Sequence, residues 1–305
     1  MFQELCCLAD GLAISPYIQE ISVLKTIFGG LSAMWLAACS PVSLLNAMVP
    51  SHGYTTQRDI AYGDYQRQRL DIYLPIQRAT KGNPVVVFFF GGGWEGGDKK
   101  DYKFVGEALS SHGITVVIPD YRVYPEVLFP DFVDDAAAAV AWTRANIQRY
   151  AGDEQQLFIA GHSAGAHIAS LLALNPDYLK KYALTPDNIQ GMIGLAGPYD
   201  FLPLKSNTLK TIFGSENQRW QSQPINFVSG NNPPMLLLVG ERDLTVWPRN
   251  SYRLADKITE QGGEVALIKF PDYGHVSMVA KLAKPLRGDG ALLQPILAFI
   301  DKHRL

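Results

Sequence analysis

Leu157-Phe158-Ile159-Ala160-Gly161-His162-Ser163-Ala164-Gly165, running on into Ala166-His167-Ile168-Ala169-Ser170-Leu171-Leu172-Ala173-Leu174, decides how this chain is read. A short apolar run has the composition of a buried strand. The alanine- and leucine-rich run that follows fits a helix. Between them stands Gly-x-Ser-x-Gly, the pattern of a sharp turn that lifts a serine hydroxyl out at the end of a strand. The two glycines suit a turn in which strand and helix backbones crowd together. The helix that follows aims free N–H groups and the positive end of its dipole at the same point. Ser163 is the candidate nucleophile.

Outward from this turn the chain alternates. Arg69 to Pro75 alternates polar and apolar residues, as in a half-buried edge strand. Val85 to Phe90 and Ile114 to Ile118 are continuous β-branched and aromatic runs, expected where both faces of a strand are covered. Met192 to Ala196, Met235 to Val239 and Val265 to Phe270 are further strands. Helices are expected over 99–111, 131–150, 248–261 and 290–302, with Asp131, Asp134 and Asp135 opposing the dipole of the second. Strands alternating with helices predict an α/β fold: a mostly parallel central sheet with helices on both faces. Residues 175–190 and 201–232 are long for plain connections and are read as a small cap excursion over the sheet.

The chain has 305 residues, 47% hydrophobic and 18% charged, which suits a large packed domain rather than a disordered chain. A net charge of −2 gives no electrostatic reason to expect nucleic acid. The three cysteines, Cys6, Cys7 and Cys39, all lie ahead of residue 40, so no disulfide framework or cysteine metal site is expected beyond it. An uncharged run follows Lys25 and ends in Leu36-Ala37-Ala38-Cys39, which resembles a bacterial lipobox. That resemblance implies a leader over residues 1–38, a lipidated Cys39, a tether over 39–53 and a membrane anchor in the bacterial cell envelope. A core helix in a cytoplasmic protein is the alternative. Acidic Glu4, Asp10 and Glu20 suit a leader poorly and place the expected start of translation near Val23.

The chemistry around Ser163 needs more parts. Phe90-Gly91-Gly92-Gly93-Trp94 follows a buried strand directly. Acyl transfer develops negative charge on a carbonyl oxygen, and preorganised backbone N–H groups stabilise it. The N–H groups of Gly92, Gly93 and Ala164 are the expected donors of this oxyanion hole. A serine hydroxyl also needs a base, and in folds built on such a turn the order is Ser, acid, His. Downstream lie His167, on the helix behind Ser163; His303, near the end of the chain; and His275, in the turn after strand 265–270. His275 is the expected base. Asp243, just past strand 235–239, is the expected acid, with Asp200 as the alternative; Asp272 is read as a turn former. His162 is expected to bond locally, Asp120 to anchor a turn, and Glu95 to Lys100 to form a solvated loop. Trp94, Tyr199 and Trp247 sit at strand ends and are the candidate substrate pocket.

Taken together, Gly91-Gly92-Gly93-Trp94, Gly161 to Gly165, Asp243 and Gly274-His275 resemble an α/β-hydrolase. Asp120-Tyr121-Arg122, Pro125 and Gly152-Asp153 narrow the resemblance. They point to the esterase/lipase group that includes hormone-sensitive-lipase-like carboxylesterases, isoprenylcysteine methylesterases and kynurenine formamidases. The resemblance covers about residues 54–304. It implies a serine esterase of small-molecule esters with no cofactor and no metal. An amidase or arylformamidase with the same residues is one alternative; a catalytically silent binding protein is another. One departure stands out: such enzymes often carry His ahead of the glycines, where this chain has Phe90.

Overall fold

The computed structural model describes residues 45–305 apart from Arg78 and Lys81. The expected leader and Cys39 lie outside the described residues. One sheet holds eight strands: β1 (Tyr54–Ala61), β2 (Arg69–Pro75), β3 (Asn83–Phe89), β4 (Thr115–Pro119), β5 (Gly152–His162), β6 (Gly191–Leu195), β7 (Met235–Gly240) and β8 (Val265–Phe270). Their spatial order is β1-β2-β4-β3-β5-β6-β7-β8. The β1–β2 and β2–β4 pairs are antiparallel and every other pair is parallel. This is the α/β-hydrolase arrangement.

Beyond β1 the helices are α1 (Lys103–Ser110), α2 (Asp131–Asn146), α3 (Ala164–Leu174), α4 (Pro176–Lys180), α5 (Asn207–Ile212), α6 (Arg249–Glu260), α7 (Ser277–Ala280) and α8 (Leu293–His303). Side chains alternate across a strand, so each apolar run feeds two cores. Val85, Val87 and Phe89 of β3 pack in one layer with α2, α3 and α6. Val86 and Phe88 pack in the other with α1 and α8. Burying each such side chain is worth about 1.5–3 kcal/mol. Every residue of α3 is buried, which is why this helix shows no polar stripe.

Several expectations change. The strand at 69–75 is no edge: β1 covers it, and it is buried over most of its length. The helix expected over 131–150 ends at Asn146 and continues as a 3₁₀ turn over Ile147–Tyr150. Within the expected tether, Val49 is buried in the second core with Leu45 packed beside it. The Asn46 amide donates to the Lys100 carbonyl at 2.8 Å. The compact unit therefore starts at Leu45 rather than at Tyr54. The excursion at 201–232 folds as α5 and short 3₁₀ turns, and its Leu204, Ile212 and Phe213 are themselves core.

Candidate active site

Strand β5 delivers Ser163 at its C-terminal end with φ 56° and ψ −123°. A non-glycine residue held there costs about 1–3 kcal/mol. Its neighbours hold it in place. The Ser163 N–H donates to the Leu195 carbonyl at 2.9 Å, and its carbonyl accepts the His167 N–H at 3.1 Å. The flanking glycines are a steric requirement. A Cβ on Gly165 would fall 2.0 Å from the Phe89 carbonyl oxygen, and one on Gly161 would fall 2.3 Å from the Gly165 carbonyl carbon.

The His275 and Asp243 side chains complete a line from Ser163. His275 Nε2 lies 2.8 Å from Ser163 Oγ. Its Nδ1 lies 2.7 Å from Asp243 Oδ2. The Asp243 carboxylate accepts the hydrogen bond of Nδ1–H, so the Nε2 lone pair faces the serine hydroxyl. Asp243 is buried, and its Oδ1 accepts the N–H groups of Thr245 at 2.9 Å and Val246 at 2.8 Å. One oxygen thus caps the turn while the other orients the imidazole. Asp200 instead pairs with Arg253 at 2.7 Å, and Asp272 with Arg242 at 2.6 Å on the surface.

These residues start far apart. β6 and β7 lie between β5 and β8, a lateral gap of about 14 Å at ordinary strand spacing. The segment after β8 closes it by folding back over the sheet. Arg242 N–H donates to the Tyr273 carbonyl at 3.0 Å. Ser277 Oγ accepts the Gly274 N–H at 2.8 Å. His162 then clamps the end of the segment: its Nε2–H donates to the His275 carbonyl at 3.1 Å, and the two rings lie 4.8 Å apart. That contact is not local as expected; it bridges 113 residues. Burial, and then the charge His275 carries when protonated, lower the His162 pKa to about 3, so it stays neutral.

The glycine loop runs against Ser163. A Cβ on Gly91 would lie 3.0 Å from Ser163 Cβ. Gly92 has φ 142° and Gly93 φ 64°. Among the described residues, the N–H groups of Gly92, Gly93 and Ala164 donate to no protein acceptor. Ala164 opens α3, where N–H groups have no partner within the helix. Phe90, which stands where a histidine was expected, stacks on Tyr121 with ring centroids 4.4 Å apart. The Tyr121 hydroxyl donates to the Phe90 carbonyl at 2.7 Å, and the Tyr102 hydroxyl accepts the Gly91 N–H at 3.1 Å. Two tyrosines therefore hold the loop. Sequence reading missed Tyr102 entirely and saw Tyr121 only as part of a motif.

That motif, Asp120-Tyr121-Arg122, ties the loop to the body of the domain. Arg122 forms a forked pair with Asp135 at 2.7 and 2.9 Å. Asp135 also accepts from Gln68 at 2.8 Å, so it does more than oppose a helix dipole. Asp120 Oδ1 accepts the Lys99 N–H at 2.7 Å, and burial raises its pKa to about 6. Lys99 is not in a solvated loop; it is buried, with its ammonium 2.6 Å from Asp59 and 3.3 Å from Asp71.

The expected substrate pocket is largely corrected. Trp94 is buried: its Nε1–H donates to His167 Nδ1 at 3.2 Å, and its ring stacks on Phe201 at 5.7 Å. His167 Nε2–H in turn donates to the Ser222 carbonyl at 2.7 Å. Tyr199 is fully buried in the core. Both are packing residues, because strand ends on this side are roofed by the 201–232 segment. Trp247 is exposed, with the Arg249 guanidinium 4.8 Å from its ring centroid. A groove of about 490 Å³ runs past Phe129, Tyr178, Phe213, Trp220 and Phe227, and none of Ser163, Asp243 and His275 lines it.

A hydroxyl facing an oriented imidazole, beside free N–H groups, is the apparatus of acyl transfer. The comparisons agree in kind. The BD-FAE family model matches residues 70–258. Isoprenylcysteine alpha-carbonyl methylesterase ICME of Arabidopsis thaliana is 30% identical over 253 residues, covering 76% of this chain and 58% of its own length. Kynurenine formamidase of Salmo salar is 28% identical over 255 residues, covering 81% of this chain and 83% of its own. The chain spans a little over half the length of the plant methylesterases it matches. Among solved structures, esterase B of Lactobacillus rhamnosis superposes with a TM-score of 0.73 at 19% identity, covering 91% of this chain and 96% of the other. At that identity the likeness is one of fold.

Proposed function

The chain belongs to the BD-FAE family, within the esterase group of α/β-hydrolases, and from that premise we propose that it is a serine carboxylesterase working through an acyl-enzyme. The observation that supports this reading is the pair of hydrogen bonds linking Ser163 to His275 at 2.8 Å and His275 to Asp243 at 2.7 Å. Ser163 Oγ attacks an ester carbonyl while His275 Nε2 takes its proton. The N–H groups of Gly92, Gly93 and Ala164 receive the oxyanion. As the tetrahedral adduct collapses, the C–O bond to the alcohol breaks and His275 returns the proton to the leaving oxygen. Water, activated by His275, then cleaves the acyl-enzyme and regenerates Ser163. Asp243 holds the imidazole tautomer throughout.

The test is a panel of esters and anilides together with a fluorophosphonate probe. Ester turnover and labelling of Ser163 are expected. A folded protein that neither labels nor turns over any ester is the binding protein instead. The likeness to a kynurenine formamidase favours one second reading, an arylformamidase with the same residues. Preference for formyl anilides over matched esters would establish it.

We also propose, from Leu36-Ala37-Ala38-Cys39, that Cys39 is lipidated and anchors the protein to the bacterial envelope. Mass spectrometry finding an unmodified Cys39 in the mature protein would sink that idea.

A further inference from the structure

The apolar surface of the domain is unusual in one place. Among the described residues, Leu244 is 87% exposed and Val276 71% exposed. Apart from the chain-terminal Leu305 at 78%, no large apolar side chain among the described residues is more exposed than these two. Leu244 directly follows the acid Asp243, and Val276 directly follows the base His275. Trp247, 56% exposed, completes the set on the Asp243 turn. Exposed apolar residues scattered singly need no explanation, but these follow the acid and the base directly in the chain.

The backbone that carries Leu244 and Val276 is fixed by hydrogen bonds. Asp243 Oδ1 accepts the N–H groups of Thr245 and Val246 at 2.9 and 2.8 Å, which fixes the turn that presents Leu244. The Val276 carbonyl accepts the Ala280 N–H at 2.9 Å, which fixes Val276 at the start of α7. The two segments are joined through the 2.7 Å bond between His275 and Asp243.

We propose that Leu244 and Val276, with Trp247 at their edge, form the subsite for the alcohol half of the substrate, and that this half is bulky and apolar or aromatic. The inference rests on the esterase reading above. In that reaction the C–O bond breaks as the tetrahedral adduct collapses, and the departing oxygen takes its proton from His275 Nε2. The alcohol must therefore leave on the imidazole side of Ser163. The residues that directly follow the base and the acid, Val276 and Leu244, are apolar and exposed, and the base and acid that carry them are bonded at 2.7 Å. The carbonyl oxygen faces the other way, toward the Gly92, Gly93 and Ala164 N–H groups.

The experiment compares the full-length protein with Leu244→Ser, Val276→Ser and the double variant. Ile76→Ser is the control: Ile76 is 62% exposed and follows β2, which runs antiparallel to its neighbours and ends away from the site. One series holds the acyl group as acetate and varies the alcohol from methanol to 1-naphthol. The other holds methanol and lengthens the acyl chain from acetate to hexanoate. The double variant is expected to lose about tenfold in kcat/KM for naphthyl acetate relative to methyl acetate, the scale of a lost apolar contact. The acyl series and the Ile76→Ser ratios should follow the parent protein.

An unchanged alcohol ratio overturns the proposal, as does a loss that tracks acyl length. Loss of vesicle binding or of a dimer in the double variant, with the alcohol ratio unchanged, assigns the patch to a lipid surface or a second copy instead. Absence of any Ser163-dependent ester turnover overturns the esterase reading and this subsite with it. Ser163-dependent turnover without alcohol discrimination overturns the subsite alone.

Discussion

His275 Nε2 lies 2.8 Å from Ser163 Oγ although 112 residues separate them in the chain. No local rule brings them together. The contact exists because the segment after β8 folds back over β7 and β6 and is clamped by His162.

The first prediction concerns that contact. Ser163→Ala is expected to lower ester turnover by about three orders of magnitude or more, and His275→Ala by a similar factor. The double variant should be hardly worse than either, because the residues act as a unit. Additive losses in kcat, measured on a p-nitrophenyl ester, would show that they act separately.

Asp243→Asn separates the two duties of the acid. Its Oδ1 must go on accepting the Thr245 and Val246 N–H groups. The new amide nitrogen is then forced into the position facing His275 Nδ1, where it can only donate. The imidazole must turn its lone pair toward Asn and its proton toward Ser163, the wrong tautomer for a base. A loss of about 10⁴ in kcat is expected, with a melting temperature close to that of the parent. Unchanged kcat in a folded variant would remove Asp243 from the line.

Tyr102→Phe and Tyr121→Phe test the support of the glycine loop. The first leaves the Gly91 N–H without its acceptor, the second the Phe90 carbonyl without its donor. Each should cost about 1–3 kcal/mol of stability for a buried unpaired group. Misplacing the loop should lower kcat on the order of 10- to 100-fold, with a smaller change in KM. A purely structural role would lower the melting temperature and leave kcat at 25 °C where it was.

His167 yields a pH prediction. Burial lowers its pKa to about 4, against the opposing hydrogen bond to the Ser222 carbonyl. A histidine with a depressed folded pKa contributes stability that is present above its unfolded value of about 6.5 and is lost as pH falls toward 4. His167→Gln should be less stable than the parent at pH 7. The gap should shrink by on the order of 2 kcal/mol by pH 5, since only the parent must release a proton there to fold. Urea unfolding at the two pH values measures it; a gap that stays constant with pH would show that His167 is not held neutral.

Much of this was legible in the residues. The continuous apolar runs marked the central strands because a strand covered on both faces has no polar alternate, and Val85 to Phe89 shows that pattern without a break. Ser163 was legible because its turn admits only glycine at 161 and 165, where any Cβ would strike backbone. The order of Asp243 and His275 at later strand ends was legible because a parallel sheet gathers its strand ends on one side. Arg69 to Pro75 was misread as an edge because β1 pairs with it through residues that carry little apolar signal of their own.

The chain order alone thus determined the strand–turn–helix around Ser163 and the rank of the residues that could serve it, since both follow from local sterics and from sheet connectivity. The tertiary structure decided what holds those residues at bonding distance. Tyr102, Tyr121 and His162 act through single hydrogen bonds to backbone groups distant in sequence. Such bonds leave no period and no spacing to read. The exposure of Leu244 and Val276 was likewise invisible, because an apolar residue past a strand end reads the same whether it turns into the core or out to solvent. Only the packing of the surrounding segments settles which.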